Sequence, residues 1–422
     1  MEQAMNNTRW HRYVWRTILL SLTLWVSGCI QTTEQPTLKQ DSDTTIPPSE
    51  VMVGAAQLDA YLPLLHGQRV GLIVNQTSVV QLNDGSSIHL VDVLLKHDIN
   101  VVKVFAPEHG FRGNKGAGEI INDNTDPTTG LPIISLYGKN KAPSQAMLAD
   151  VDVLIFDIQD VGVRFYTYIS TMHYAMDAAA QYATKMIILD RPNPNGQFID
   201  GPVLDLRWQS FVGMHPIPLV HGLTVGELAQ MIKGEAWIES ANALDLTVIP
   251  VLGYDKSMTY TLPIPPSPNL PNANAIQWYA SLCLFEPTVI SVGRGTEHPF
   301  QMLGHPTIKL PVSSAHSMQT PISLPYSAPH PKWQDTAIAS LLIHDYPQPI
   351  DGFSLDLLIE VFNQARQQQL VLITSDDFFD KLAGTDTLRR SLLAGDSAAS
   401  IRASWQEGLN TYKRTRLAYL LY

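Results

Sequence analysis

Short apolar runs rich in Val, Ile and Leu alternate with stretches of helical spacing from Val70 onward. Val70 to Val74 predicts a strand, and Leu90, Val91, Leu94 and Leu95 place a helix over Ile88 to His97. Val101 to Phe105 and Ile133 to Leu136 predict further strands. The most hydrophobic run, Val151 to Ile158, is followed by a helix near Ser170 to Tyr182 and a strand from Met186 to Leu189. Runs this continuous mark strands covered on both faces. Their alternation with helices predicts βαβ units in an α/β fold, a doubly wound parallel sheet.

The texture changes beyond Asp190. Pro and Gly punctuate Arg191 to Pro218, and Thr224 to Gly234 predicts a helix capped by Thr224, with Glu227 three residues on. Pro263 to Asn269 must be extended, because consecutive prolines exclude helix. A boundary near Leu284 separates a body over 51–284 from a smaller α+β domain over 285–422. That second part holds a strand-like Thr288 to Val292 and helices at Asp356 to Gln368 and Leu388 to Leu393.

In open α/β sheets the ligand crevice lies outside the carboxyl ends of the strands. Here those ends carry Asn75-Gln76-Thr77, then Glu108, His109 and Arg112, then Asp157-Ile158-Gln159-Asp160, then Asp190-Arg191-Pro192-Asn193. Loop polarity accounts for any one of these; four on one edge predict a site.

The N-terminus is a processing signal. Arg9, Arg12 and Arg16 precede the apolar run Ile18 to Val26, which is too short to span a bilayer. Val26-Ser27-Gly28-Cys29 resembles a bacterial lipobox, which makes 1–28 a signal peptide and Cys29 a lipidated first residue. Residues 29–50 read as a polar tether, too polar to fold alone. Ile30 in place of Asp after the Cys points to the outer membrane, with the body facing the periplasm. The formal charge is −11 with no basic stripe, which argues against nucleic acid. With Cys29 lipidated, Cys283 has no disulfide partner, and its apolar neighbours predict a buried inert thiol.

Gly113 to Gly118 has the wrong spacing for a dinucleotide fingerprint, and no P-loop, HExxH or GxSxG is present. No nucleotide, metal or other cofactor is expected. Glu108 is the leading acid: a carboxyl half-buried against Phe111 can have a raised pKa and donate a proton, whereas a solvated surface acid is the ordinary alternative. His109 reads as a metal ligand, a second base or, foremost, a satisfied histidine that orients its neighbour. Asp157 and Gln159 share one face at a strand end, where bonding to backbone N–H groups is an even alternative. Arg164 beside Tyr166 and Tyr168 reads either as aromatic core or as a sugar-stacking wall, and Arg294 between Gly293 and Gly295 either grips an anion or sits in a plain turn.

Several strings occur together and in order: Pro107-Glu108-His109-Gly110-Phe111-Arg112-Gly113, Thr129-Gly130-Leu131-Pro132-Ile133, Phe156 to Gly162 running through Tyr166-Thr167-Tyr168, and Leu189 to Pro194. Gly201-Pro202-Val203, His221-Gly222, Pro265 to Asn269 and Gly293 to Thr296 follow. With these the chain resembles the exo-β-N-acetylmuramidases from Val51 onward. The resemblance implies an exo-glycosidase that removes terminal β-N-acetylmuramic acid from peptidoglycan fragments. It implies a Rossmann-like domain without a nucleotide, and a C-terminal domain that completes the cleft. The family's proposed catalytic Glu falls on Glu108, and an acid that some relatives carry before the GRG is Val292 here.

Glycoside hydrolysis ordinarily uses two carboxyl groups. Asp157 is the candidate second group, as base, nucleophile or orienter of the substrate's own acetamido group, and Glu119 is the reserve acid. Arg294 or Arg164 is the expected partner of the muramic lactyl carboxylate. Gln159, Asn193 and His221, with His109, Arg112, Tyr166 and Tyr168, complete the expected sugar contacts. Two alternatives stand beside this reading: a metal-dependent hydrolase built on Glu108, His109, Asp157 and His221, and a lipid-anchored sugar-binding protein.

Overall fold

The computed structural model describes residues 51–82, 84–108, 110–111, 124–138, 140–310, 316–346 and 352–422. Cys29 with the leader and tether, His109, Arg112, the Gly113 to Gly118 string and Glu119 lie outside the described residues.

After helix α1 (Leu58–Leu65) the chain runs β1 (Val70–Val74), a hairpin of β2 (Val79–Gln81) and β3 (Ser87–His89), α2 (Leu90–Lys96) and β4 (Val101–Ala106). It continues with β5 (Asn124–Thr125), β6 (Pro132–Ser135), α3 (Gln145–Leu148), β7 (Val153–Asp157), α4 (Tyr168–Gln181), β8 (Lys185–Leu189), α5 (Val225–Gly234) and β9 (Leu246–Ile249). Among the described residues the main sheet is ordered β5-β6-β4-β1-β7-β8-β9, parallel throughout except for β5. Setting aside the antiparallel edge, this is the 3-2-1-4-5-6 order of Rossmann sheets, with the switch point between β1 and β7.

Alternation along the strands sorts the core. Leu72, Val74, Val104, Val153 and Ile155 face α1 and α2, where Tyr61, Leu65, Leu90 and Leu94 close one layer. Ile73, Phe105, Leu154, Phe156 and Ile188 face the layer holding α4 and α5. That second cluster runs on without a break into the C-terminal domain, through Phe285, Leu357, Phe379 and Trp405. The smaller domain is therefore packed onto the α4–α5 face. After α6 (Ala273–Leu282) it comprises an antiparallel sheet ordered β10 (Met302–His305), β12 (Ile338–Leu342), β11 (His316–Gln319), and helices α7 (Leu355–Gln367), α8 (Asp376–Ala383), α9 (Thr387–Ala394) and α10 (Ala398–Thr415).

Two expected elements differ. The helix expected over Ile88 to His97 begins at Leu90, because Ser87–His89 pairs with β2 and the His89 ring accepts the Val91 N–H as an N-cap. Thr288 to Val292 makes only isolated bridges, at Thr288 and Ser291. Its carbonyls are already occupied: Trp333 Nε1 donates to Val289 O at 2.7 Å and Lys332 Nζ to Ile290 O at 3.1 Å. The α5 cap forms as the sequence predicts, with Thr224 and Glu227 reciprocally bonded. Cys283 is free and buried, and burial pushes its thiol pKa up.

Candidate active site

The switch point itself is closed by the protein's own groups. The Ser78 hydroxyl donates to the Asp157 carbonyl, and Thr77 Oγ1 accepts the Gln159 N–H at 3.0 Å. Asn75 Oδ1 is taken by the Thr77 N–H and hydroxyl. The turn after β1 carries no glycine, so no backbone cradle for a pyrophosphate forms there.

The open site lies one strand over, at the carboxyl end of β4. Glu108 is half-buried, and both of its carboxyl oxygens accept from hydroxyls. Tyr137 OH, from the loop after β6, donates to Oε1 at 3.0 Å, and Thr167 Oγ1, preceding α4, donates to Oε2 at 2.7 Å. Burial and the Glu108 charge both raise the Tyr137 pKa, so this phenol stays a donor. Phe111 is buried, with its ring edge-on to His89 at 5.0 Å.

Beside Glu108 opens a pocket walled by Tyr166, Thr167, Tyr168, Tyr279 and Phe300. The rings pack edge to face, Tyr166 on Tyr168 at 5.0 Å and Tyr279 on Phe300 at 4.9 Å. Tyr166 OH donates to Pro266 O at 2.8 Å, tying the wall to the extended proline segment, which adds Ser267 and Asn269 to the lining. Among the described lining residues the cation is Arg294. Gly293 aims it, at φ +87°, where a Cβ would meet His298 O at 2.1 Å. Arg294 Nε donates to Glu286 Oε1 at 2.7 Å, and its guanidinium lies 4.8 Å from the Phe300 ring centre. Burial alone would raise the Glu286 carboxyl, but Arg294 and Lys332 together hold it below the usual range. Two cations around one carboxylate leave net positive charge behind this wall.

The structure gathers Glu108, Tyr166, Tyr168 and Arg294 of the expected residues at one pocket and withdraws five others. Asp157 is fully buried, with both oxygens bonded to Arg191, at 2.6 Å from Nε and 2.9 Å from Nη2. Arg164 is equally buried; it donates to the carbonyls of Pro202, Ile217 and Leu382 and so ties the first domain to α8 rather than facing a ligand. The Gln159 amide bonds Asp160 O and Pro192 O. The Asn193 amide bonds Leu223 O and packs on Gly162, at φ +75°, where a Cβ would lie 2.2 Å from Asn193 Oδ1. His221 is buried, 3.8 Å from Asp160, and burial drives its pKa down to about 3.

Of the metallohydrolase set, Asp157 is taken by Arg191 and His221 lies buried beside Asp160, and no group of three metal-ligating side chains forms among the described residues. Residue-by-residue reading missed Tyr137, Thr167, Tyr279 and Phe300. Thr167 stood between two flagged tyrosines, whereas nothing local marks Tyr137.

The model of the N-terminal domain of exo-β-N-acetylmuramidase NamZ matches residues 70–274, and that of its C-terminal domain matches residues 277–422. The peptidoglycan β-N-acetylmuramidase NamZ of Bacillus subtilis (strain 168) is 36% identical over 409 residues, covering 93% of each chain. A DUF1343 family protein from Bacteroides fragilis NCTC 9343 has a crystal structure that superposes with a TM-score of 0.78 at 43% identity, covering 89% of this chain and 99% of that one. A second DUF1343 family protein from that organism gives a TM-score of 0.74 at 29% identity, covering 88% and 99%. With both family models matched across the fold and the expected acid at the mouth of the pocket, this chain belongs to the exo-β-N-acetylmuramidase family of glycosidases.

Proposed function

We propose that Glu108 is the general acid with which this chain releases the terminal β-N-acetylmuramic acid of a peptidoglycan fragment. The observation that carries the reading is its carboxyl group, held through both oxygens by the Tyr137 and Thr167 hydroxyls at the mouth of a pocket that also presents Arg294. Arg294 suits the lactyl carboxylate: its Nε is committed to Glu286, which leaves the terminal nitrogens for a bidentate partner.

Glu108 is the carboxylate among the described lining residues, and Asp157 is bound to Arg191. This favours attack by the substrate's own 2-acetamido oxygen on the anomeric carbon. As that C–O bond forms, the bond to the leaving oxygen breaks, and that oxygen takes the Glu108 proton. Water then opens the oxazolinium ring, giving a proton back to Glu108. The test compares β-MurNAc-GlcNAc with β-GlcNAc-GlcNAc. The expected result is release of the terminal sugar from the first alone, and loss of that release in Glu108→Gln; equal rates on both, or a fully active Glu108→Gln, would overturn it.

The lipobox-like Val26-Ser27-Gly28-Cys29 and the residue Ile30 support anchoring at the outer membrane, facing the periplasm. Cys29→Ala should then move the protein from the membrane to the soluble fraction; persistent membrane association without a lipid would refute the anchor.

A further inference from the structure

An acid that protonates a glycosidic oxygen must stand between the two sugars it parts. The Glu108 carboxyl has two sides of different character. Oε2 meets Thr167, a wall of the pocket, while Oε1 meets Tyr137, whose ring lies outside that lining. Beyond Tyr137 comes Phe211, at 6.4 Å between ring centres, and then Tyr174, nearly parallel to Phe211 at 15° and 6.3 Å.

These three rings come from the loop after β6, a loop near residue 211 and helix α4. All three are half-buried, whereas Tyr166, Tyr168 and Tyr279 in the pocket are buried. Phe211 stands at the tip of a turn closed by two backbone bonds, Ser210 N to Gly213 O at 2.9 Å and Gly213 N to Ser210 O at 3.0 Å. This large apolar ring at a turn tip, partly open to solvent and packed toward the phenol that holds the acid, belongs to neither core cluster.

We infer that Phe211 and Tyr174 form the platform for the departing sugar, receiving the apolar C–H face of its pyranose ring while the pocket holds the muramic residue. This rests on the reading of Glu108 as the acid. The Lys141 ammonium lies 4.5 Å from the Phe211 ring centre, so one face of that ring carries a cation in the free protein. The sugar stacks on Tyr174 and the remaining Phe211 surface, or exchanges with the lysine side chain.

The test uses two substrates of the full chain that differ only in what leaves: β-MurNAc-GlcNAc, and β-MurNAc fluoride, whose leaving group has no ring. Phe211→Ala and Tyr174→Ala should each lower kcat/KM on the disaccharide about tenfold and leave the fluoride within about twofold of native, since one lost stacking partner acts only where a ring departs. Phe211→Trp should keep the disaccharide rate. Equal losses on both substrates would show a structural role and overturn the platform, as would an unchanged disaccharide rate in both alanine variants. If the native chain cleaves neither substrate, the reading of the site falls and the platform with it; native turnover with the wrong variant pattern removes the platform alone.

Discussion

Glu108 and Asp157 occupy equivalent positions, at the carboxyl ends of two parallel strands that flank β1. Their surroundings differ. Asp157 is fully buried and grasped bidentately by Arg191, so its charge is matched and its lone pairs are occupied. Glu108 lines the pocket, and the Tyr137 and Thr167 hydroxyls donate to its two carboxyl oxygens and fix its orientation. A third acid on the same edge, Asp190, accepts from the Thr224 hydroxyl, the Gly226 N–H and Tyr422 OH, and so anchors the start of α5. One topological rule places all three acids. The partner each one meets decides whether its carboxyl group lines the pocket or holds the scaffold.

The largest contrast should come from two matched amides. Glu108→Gln keeps the shape and one acceptor for the Tyr137 and Thr167 hydroxyls but carries no proton to donate, so turnover of the disaccharide should fall about 10²- to 10⁴-fold with little change in stability. The loss should be smaller on a nitrophenyl muramide, whose leaving group departs with little protonation. A Glu108→Gln enzyme with near-native disaccharide kinetics would remove the contrast.

Asp157→Asn should do the reverse. It strands the buried Arg191 guanidinium, at a cost of about 3–5 kcal/mol in unfolding free energy, while the molecules that remain folded keep near-native turnover. Denaturant midpoints paired with active-site titration separate the two effects. A stable but inactive Asp157→Asn would return Asp157 to the catalytic group.

Arg164 sharpens the same comparison for the cations. Arg164→Lys cannot reach the Pro202, Ile217 and Leu382 carbonyls together, so stability should drop on the order of 3 kcal/mol with KM unchanged. Arg294→Lys, by contrast, should raise KM for muramic substrates. A raised KM with native stability in Arg164→Lys would contradict the assignment.

A last contrast is a pH dependence. Asp160 is buried with Oδ1 unpartnered among the described residues, and burial raises its pKa to about 7. The unfolded value is about 3.9, so protonated Asp160 contributes its stability in full below about pH 4 and loses it as the pH rises through about 7. Asn cannot ionise. Relative to the native chain, Asp160→Asn should therefore gain on the order of 2–4 kcal/mol between those limits, read from urea midpoints at acid and alkaline pH. A constant difference across that range would show that Asp160 is ionised in the fold.

Much of the scaffold was legible from the chain alone, because a strand covered on both faces must be apolar along its length and a capped helix must carry its cap locally. Val70 to Val74, Val101 to Phe105 and Thr224 with Glu227 all form as the pattern predicts. The expected strand at Thr288 to Val292 failed where distant side chains, Lys332 and Trp333, took its carbonyls. The place of Glu108 on the sheet's carboxyl edge was legible because a strand end followed by Pro107 and Glu108 is a local signal. Its two holders were not, since Tyr137 and Thr167 lie 29 and 59 residues away along the chain.

By itself, then, the sequence determined the layered sheet and the edge on which polar groups collect, both of which follow from short-range periodicity and strand ends. The tertiary structure decided which of the gathered charges are open. Asp157 meets Arg191 34 residues on, and Arg164 meets Leu382 218 residues on. Burial and pairing are properties of what packs around a group, and packing joins residues that no local pattern connects.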